Sequence, residues 1–212
     1  MLDDRLRVVA GRLLAPVARA IGPRVPPLAV TGVGLVVGLA AAAAAWRGAY
    51  GVGLACWLAN RALDGLDGAL ARTHGRQSDV GGYLDLLADF AVYAAVPIGL
   101  ALGASTDAAL PRVVLALLAS FYVNAASWLY LSAVLERRGR GAVARGEPTS
   151  ITMPAGLVAG AETIALYALA FAWPARAAAI FGVMAALVAV TVVQRIAWAV
   201  RHLGNDGRDH GA

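Results

Sequence analysis

Residues 27 to 46 pass without one charged side chain, and a stretch of that length is what an α-helix needs to cross roughly 30 Å of hydrocarbon. Similar apolar segments recur at about 50 to 71, 80 to 103, 110 to 135, 151 to 173 and 175 to 200, joined by short hairpins. Hydrophobic residues make up 60% of the 212 and charged residues 15%, well under the roughly 25% of soluble domains. Lipid is therefore the expected solvent for most of the surface. The fold class that follows is an all-α integral membrane protein. Six transmembrane helices are expected over residues 25–203, preceded by an amphipathic helix at 1–24 and followed by a short tail at 204–212.

The basic residues are all Arg, and the formal net charge is +5. Such a balance in a soluble chain suggests nucleic acid. Here the arginines gather at the ends of apolar segments, where they report topology and anionic headgroups, so membrane lipids and no nucleic acid are the expected partners. Within residues 1–24, Arg alternates with Leu6, Val8, Val9, Leu13, Leu14 and Val17, the pattern of a helix lying flat on a membrane surface. Pro23, Pro26 and Pro27 end it and open the first span. That span shows no small-residue cleavage site and is read as retained. One side of the expected bundle collects thirteen arginines, among them Arg72, Arg76, Arg137, Arg138, Arg140, Arg145 and Arg201, and the other only Arg47, Arg112 and Arg176. Both termini are then cytoplasmic, in the cell inner (plasma) membrane. The single cysteine, Cys56, lies in an apolar run and can build neither a disulfide nor a thiol metal site within one chain.

The second segment runs out of apolar residues at Leu63, and Arg61, Asp64, Asp67 and Arg72 follow within or just beyond it. Ionised groups at membrane depth cost at least a few kcal/mol each unless they line a polar cavity, so a protein-walled cavity open to the cytoplasm is implied. The third segment carries Asp85 and Asp89 in its first part. Asp64, Asp67, Gly68 and Ala71 stand at i, i+3, i+4 and i+7. Gly81, Asp85 and Asp89 follow one another at four-residue steps. Each helix therefore presents two carboxylates on one face, with small residues beside them. Four such groups brought together repel strongly and need protons or cations between them. An all-oxygen donor set selects Mg²⁺ or Mn²⁺, and a pair of cations about 4 Å apart suits phosphodiester chemistry. Gly65, Gly68 and Gly81 would let a diphosphate approach the helices, Arg72 offers a forked donor, and one carboxylate could accept a proton from an attacking hydroxyl.

From Asp64 to Asp89 the chain reads D-x2-D-G-x2-A-R-x8-G-x3-D-x3-D, which resembles the signature of the CDP-alcohol phosphotransferase (CDP-alcohol phosphatidyltransferase) family at every fixed position. The six-span layout with its N-terminal amphipathic helix is similar too. The resemblance implies transfer of a phosphatidyl group from CDP-diacylglycerol, or a similar CDP-linked lipid, to an alcohol acceptor, with release of CMP, in a homodimer. By that resemblance Asp64, Asp67 and Asp85 hold two divalent cations, Asp89 completes the metal site and acts as the catalytic base, and Gly68, Ala71, Arg72 and Gly81 lie along the CDP-lipid. Pro27-Leu28-Ala29-Val30-Thr31 is similar to the family's Pro-Asn-x-x-Thr opening, with Leu28 in place of the frequent Asn, which makes Thr31 a further CDP-lipid contact.

Members with acidic acceptors commonly carry a segment resembling Tyr-x-Lys-Ala-Arg-Ala on the fourth span. Here it reads Tyr122-Val123-Asn124-Ala125-Ala126-Ser127, so Asn124 and Ser127 stand where cations are usual. Gln194-Arg195 resembles a pair in phosphatidylglycerophosphate synthase-like members and supplies a cation from the last span. Glycerol 3-phosphate is then the favoured acceptor, with inositol phosphate or an uncharged alcohol as alternatives. Asn124, Ser127, Arg195 and the intramembrane Glu162 are the candidate acceptor residues. A membrane cation transporter is the rival of another class, but its carboxylates would continue across the bilayer, whereas all four aspartates lie toward one side.

Overall fold

The computed structural model describes residues 13–103, 107–139, 141 and 160–203. Its regular elements are all helical: α1 (13–21), α2 (Pro27–Trp46), α3 (Tyr50–Thr73), α4 (Asp79–Leu102), α5 (Leu110–Arg137), α6 (Gly160–Ala172) and α7 (Ala177–Leu203), the last entered through a 3-10 turn at Pro174–Arg176. Four are long and apolar enough to cross a membrane: α2, α4, α5 and the stretch Pro174–Leu203. Six spans were expected. Of the other two, α3 carries Arg61, Asp64, Asp67 and Arg72 in its second half, and α6 is the apolar part of the expected fifth span that falls within the described residues. Residues 151–159 of the expected fifth span lie outside the described residues, as do 1–12 of the N-terminal helix, Arg140, Arg145 and the 204–212 tail.

Val33 and Val36 on α2, Leu115 on α5, and Val193 and Val200 on α7 are each more than half exposed. Large apolar side chains directed outward on several helices are what lipid solvates and water does not. This is a membrane protein.

The helices fall into two packed units. The first contains α1 to α4, the opening turn of α5, α6 and the beginning of α7. Pro26, in extended conformation, hands the chain to Pro27 at the first turn of α2, and Gly48, with φ 72°, reverses it into α3. Ser78 caps α4 by accepting a hydrogen bond from the Gly81 amide at 3.1 Å. The helices approach closely at small residues: Gly34 faces Leu63, Gly38 faces Val92 and Asn60, and a Cβ on Gly99 would run into the Ala42 carbonyl. Lipid offers no hydrophobic drive between helices, so such backbone approach is how they cohere. Leu14 and Ala18 of α1 pack on Val30, Ala69 and Leu70, and the His74 ring meets the Ala18 carbonyl at 3.1 Å. Leu13, Val17 and Ile21 remain exposed.

The second unit contains the rest of α5 and α7. Ser132 and Thr191, both buried, return their hydroxyls to the Trp128 and Leu187 carbonyls of their own helices, the usual way a hydroxyl is satisfied away from water.

Candidate active site

Three helices of the first unit enclose one cleft. α2 contributes Thr31, Gly34 and Leu35; α3 contributes Asn60, Arg61, Asp64 and Asp67; α4 contributes Ala88, Asp85 and Asp89. All four aspartates singled out from the sequence therefore line the same space. Asp64 on α3 and Asp85 on α4 line it from facing helices. Carboxylates that share one cleft repel unless protons or cations stand among them.

The other two aspartates are engaged. Thr31 Oγ1 donates to Asp67 Oδ2 over 2.6 Å, and Asp67 is buried. Arg61 Nη2 donates to Asp89 Oδ1 over 2.8 Å, with Nη1 standing 3.9 Å from Asp64 Oδ2. Among the described residues, no three acidic, His or Cys side chains are drawn into a closed ion cage. The four carboxylates share a cleft, and these two donors engage three of them.

Arg61 was counted among the charges of the second span but given no task from sequence, and Asn60, Trp57 and Tyr93 were not singled out at all. The signal was present. Trp57, Arg61 and Asp64 lie at i, i+4 and i+7 of one helical face, and Asp85, Asp89 and Tyr93 continue by fours on the other.

The remaining expected CDP-lipid residues lie near the cleft in sequence but do not line it. The Arg72 guanidinium lies over Gly68, where an added Cβ would stand 3.0 Å from Nη1. Arg72 is exposed and Ala71 half-buried, and Gly81 sits beside the capping Ser78. Gly65 departs from its expected part: a Cβ there would meet Leu14 of α1, so this glycine serves the seating of α1 rather than a diphosphate. Thr31, expected on the CDP-lipid, lines the cleft and is bonded to Asp67.

In the second unit, Arg195 is buried and its Nη1 donates to Asn124 Oδ1 at 2.8 Å and to Ser127 Oγ at 2.6 Å. The three acceptor candidates on α5 and α7 are thus one cluster. Arg195 brings a cation to the two α5 positions that lack one. Its Nε is buried and has no hydrogen-bond partner among the described residues. Glu162 is half-buried in α6 and does not line the acidic cleft.

Residues 25–197 match the family model for CDP-alcohol phosphatidyltransferase. The chain belongs to that family. As a CDP-alcohol phosphatidyltransferase it is a transferase of phospholipid biosynthesis. It is 34% identical to the inner membrane protein YnjF of Escherichia coli (strain K12) over 197 residues, which cover 92% of this chain and 94% of YnjF. Two crystal structures of Mycobacterium tuberculosis phosphatidylinositol phosphate synthase (PgsA1) share its fold. The form with CDP-DAG bound has a TM-score of 0.67 and 22% identity, over 87% of this chain and 92% of that one. The form in complex with manganese and citrate has a TM-score of 0.66 and 23% identity, over 86% and 87%.

The family depends on divalent cations. The cleft of this phosphatidyltransferase fits one by chemistry: carboxylates on successive turns of α3 and α4 line it, and among the described residues no His or Cys does.

Proposed function

We propose that this enzyme transfers the phosphatidyl group of CDP-diacylglycerol to glycerol 3-phosphate, releasing CMP, at the acidic cleft between α2, α3 and α4. The observation that carries the reading is the convergence of Asp64, Asp67, Asp85 and Asp89 on one cleft. In this reading Asp64, Asp67, Asp85 and Asp89 hold two divalent cations, Mg²⁺ or Mn²⁺, which when bound draw charge from the diphosphate. Asp89 takes the proton of the acceptor hydroxyl as its oxygen bonds to the phosphatidyl phosphorus. The bond from that phosphorus to the CMP phosphate oxygen breaks, and CMP leaves with the electron pair. Thr31, Gly68, Ala71, Arg72 and Gly81 are proposed to lie along the CDP-lipid, with Thr31 also steadying Asp67. Support comes from the CDP-DAG found in the mycobacterial relative of the same fold. The proposal includes six spans, an interfacial N-terminal helix, cytoplasmic termini and site, and a homodimer.

The acceptor assignment rests on Arg195. A buried guanidinium with Nε unpartnered is short of one acceptor, and a phosphate oxygen would complete it. Glu162 is retained as a candidate acceptor contact. An uncharged alcohol is the second reading, because Asn124 and Ser127 already satisfy Nη1 and offer no charge of their own. Purified protein with CDP-diacylglycerol, Mn²⁺ or Mg²⁺ and a panel of acceptors, followed by mass analysis, decides. Phosphatidylglycerol phosphate with stoichiometric CMP is expected. Products only from uncharged alcohols or from inositol phosphate would replace the acceptor, and no CMP with any alcohol would end the CDP-diacylglycerol assignment.

A further inference from the structure

Among the described residues that line the cleft, one is a cation, Arg61, and it is fixed. The Arg61 side chain is 7% exposed. Its Nε and Nη2 both donate to Asn60 Oδ1, at 2.8 and 2.6 Å, its Nη1 donates to the Tyr93 hydroxyl at 2.9 Å, and its Nη2 donates to Asp89 Oδ1 at 2.8 Å. Cζ stands 4.9 Å from the ring centres of both Trp57 and Tyr93, so the guanidinium also has cation–π contacts with two aromatic rings.

Each wall of this clamp is itself held. Trp57 stacks on Tyr167 at 4.8 Å and donates its Nε1–H to the Ile164 carbonyl at 3.2 Å. Tyr167 donates its hydroxyl to the Tyr93 carbonyl at 2.6 Å, and Asn60 Nδ2 donates to the Gly34 carbonyl at 2.8 Å. Four helices, α2, α3, α4 and α6, thus converge on one guanidinium. A buried ion pair contributes little to stability that good apolar packing would not. The investment is in the position of the guanidinium, and in the cleft that position gives a hydrogen bond to Asp89 at 2.8 Å, with Asp64 farther off at 3.9 Å.

We infer that Arg61 is a positioning residue: it holds Asp89 by Oδ1 in a single rotamer and so presents Oδ2 to the acceptor hydroxyl. This rests on the reading of Asp89 as the base. A carboxylate on a helix facing a polar cleft has several accessible rotamers, and displacement of a base by about 1 Å is enough to cost on the order of 100-fold in rate. A bond to one oxygen from a donor that cannot itself move removes that freedom and leaves the other oxygen for chemistry.

The test uses the full chain in nanodiscs, with kcat and the KM for CDP-diacylglycerol measured separately and Mn²⁺ affinity read by electron paramagnetic resonance. Arg61→Gln is expected to lower kcat by about 10- to 100-fold, the scale of lost outer support, with Mn²⁺ affinity and KM changing by less than about threefold. Arg61→Lys should recover part of the loss, because an ammonium reaches Asp89 without the fork. Tyr93→Phe, which keeps the ring and removes only the hydroxyl, should lower kcat by a smaller factor, and carries the test together with Arg61→Lys if the glutamine variant does not assemble. In an Asp89→Asn background, Arg61→Gln should have no further effect on kcat. Unchanged kcat in Arg61→Gln, a full independent loss in the Asp89→Asn background, or Mn²⁺ affinity falling in step with kcat would overturn the positioning role. Normal turnover in Asp89→Asn alone would instead overturn the base reading, so the two failures are told apart.

Discussion

An aspartate on a membrane helix is costly enough that its neighbours must answer for it, and here three of the four have a donor at hand: Thr31 for Asp67, and Arg61 for Asp89 and, at 3.9 Å, for Asp64. If Asp89 is the base, Asp89→Asn retains CDP-lipid binding and lowers turnover by roughly 100-fold or more, the usual range for a lost general base. Steady-state rates with a CMP-release assay check this, and near-normal turnover would remove the role. The corresponding question at the acceptor falls on Arg195. Loss of a charge-assisted hydrogen bond costs roughly 1.5 to 3 kcal/mol, so Arg195→Ala should raise the KM for glycerol 3-phosphate by at least about tenfold and leave that for CDP-diacylglycerol nearly constant. If the acceptor is uncharged, the same variant leaves acceptor kinetics flat and Asn124→Ala does the damage.

At the scale of the helices, glycine has two employments that sequence alone does not separate. Gly99 shows one clearly: the backbone of α2 occupies the space a side chain would need. Gly99→Val should therefore force α4 from α2, at about 1 to 3 kcal/mol or more for overpacking, seen as a lower unfolding midpoint in detergent, while Gly51→Ala, where nothing lies within 4 Å, should leave the midpoint near its original value. Gly65 was read from its place in the motif as room for a diphosphate, and the space is taken by Leu14 instead. The motif could not reveal that, because Leu14 arrives from a helix some fifty residues earlier. What was legible was periodic. The apolar runs located α2, α4, α5 and α7, and spacings of three and four residues put each pair of carboxylates on one face. Contacts that depend on how two helices cross, such as Thr31 with Asp67 or Arg195 with Asn124, leave no trace in local spacing. Only the resemblance to the family drew attention to Thr31 and Arg195. Arg61 lay within reach of the same periodic argument, on the face of Asp64, and was passed over as one more charge to be paired.

For the molecule as a whole, the charge of the cleft makes metal and stability one question. Four carboxylates face one buried guanidinium, so a cleft without bound cations would be short of positive charge in surroundings that screen poorly. A cation that binds the folded cleft and not the unfolded chain stabilises by RT ln(1 + [L]/Kd), or about 2.7 kcal/mol at a hundred times Kd. Mn²⁺ or Mg²⁺ should accordingly raise the unfolding midpoint of the purified protein, and EDTA should lower it again while abolishing turnover. Zn²⁺ should restore activity poorly, since the donors are oxygens and neither His nor Cys lines the cleft. Asp85→Asn separates this from general ionic effects: it removes one of the four carboxyls that line the cleft, so the midpoint should hardly respond to Mn²⁺, whereas the basal midpoint without metal should hold or rise as repulsion among them is relieved. An unchanged Mn²⁺ response in that variant would take the metal away from Asp85, and full turnover after exhaustive chelation would take it out of the reaction.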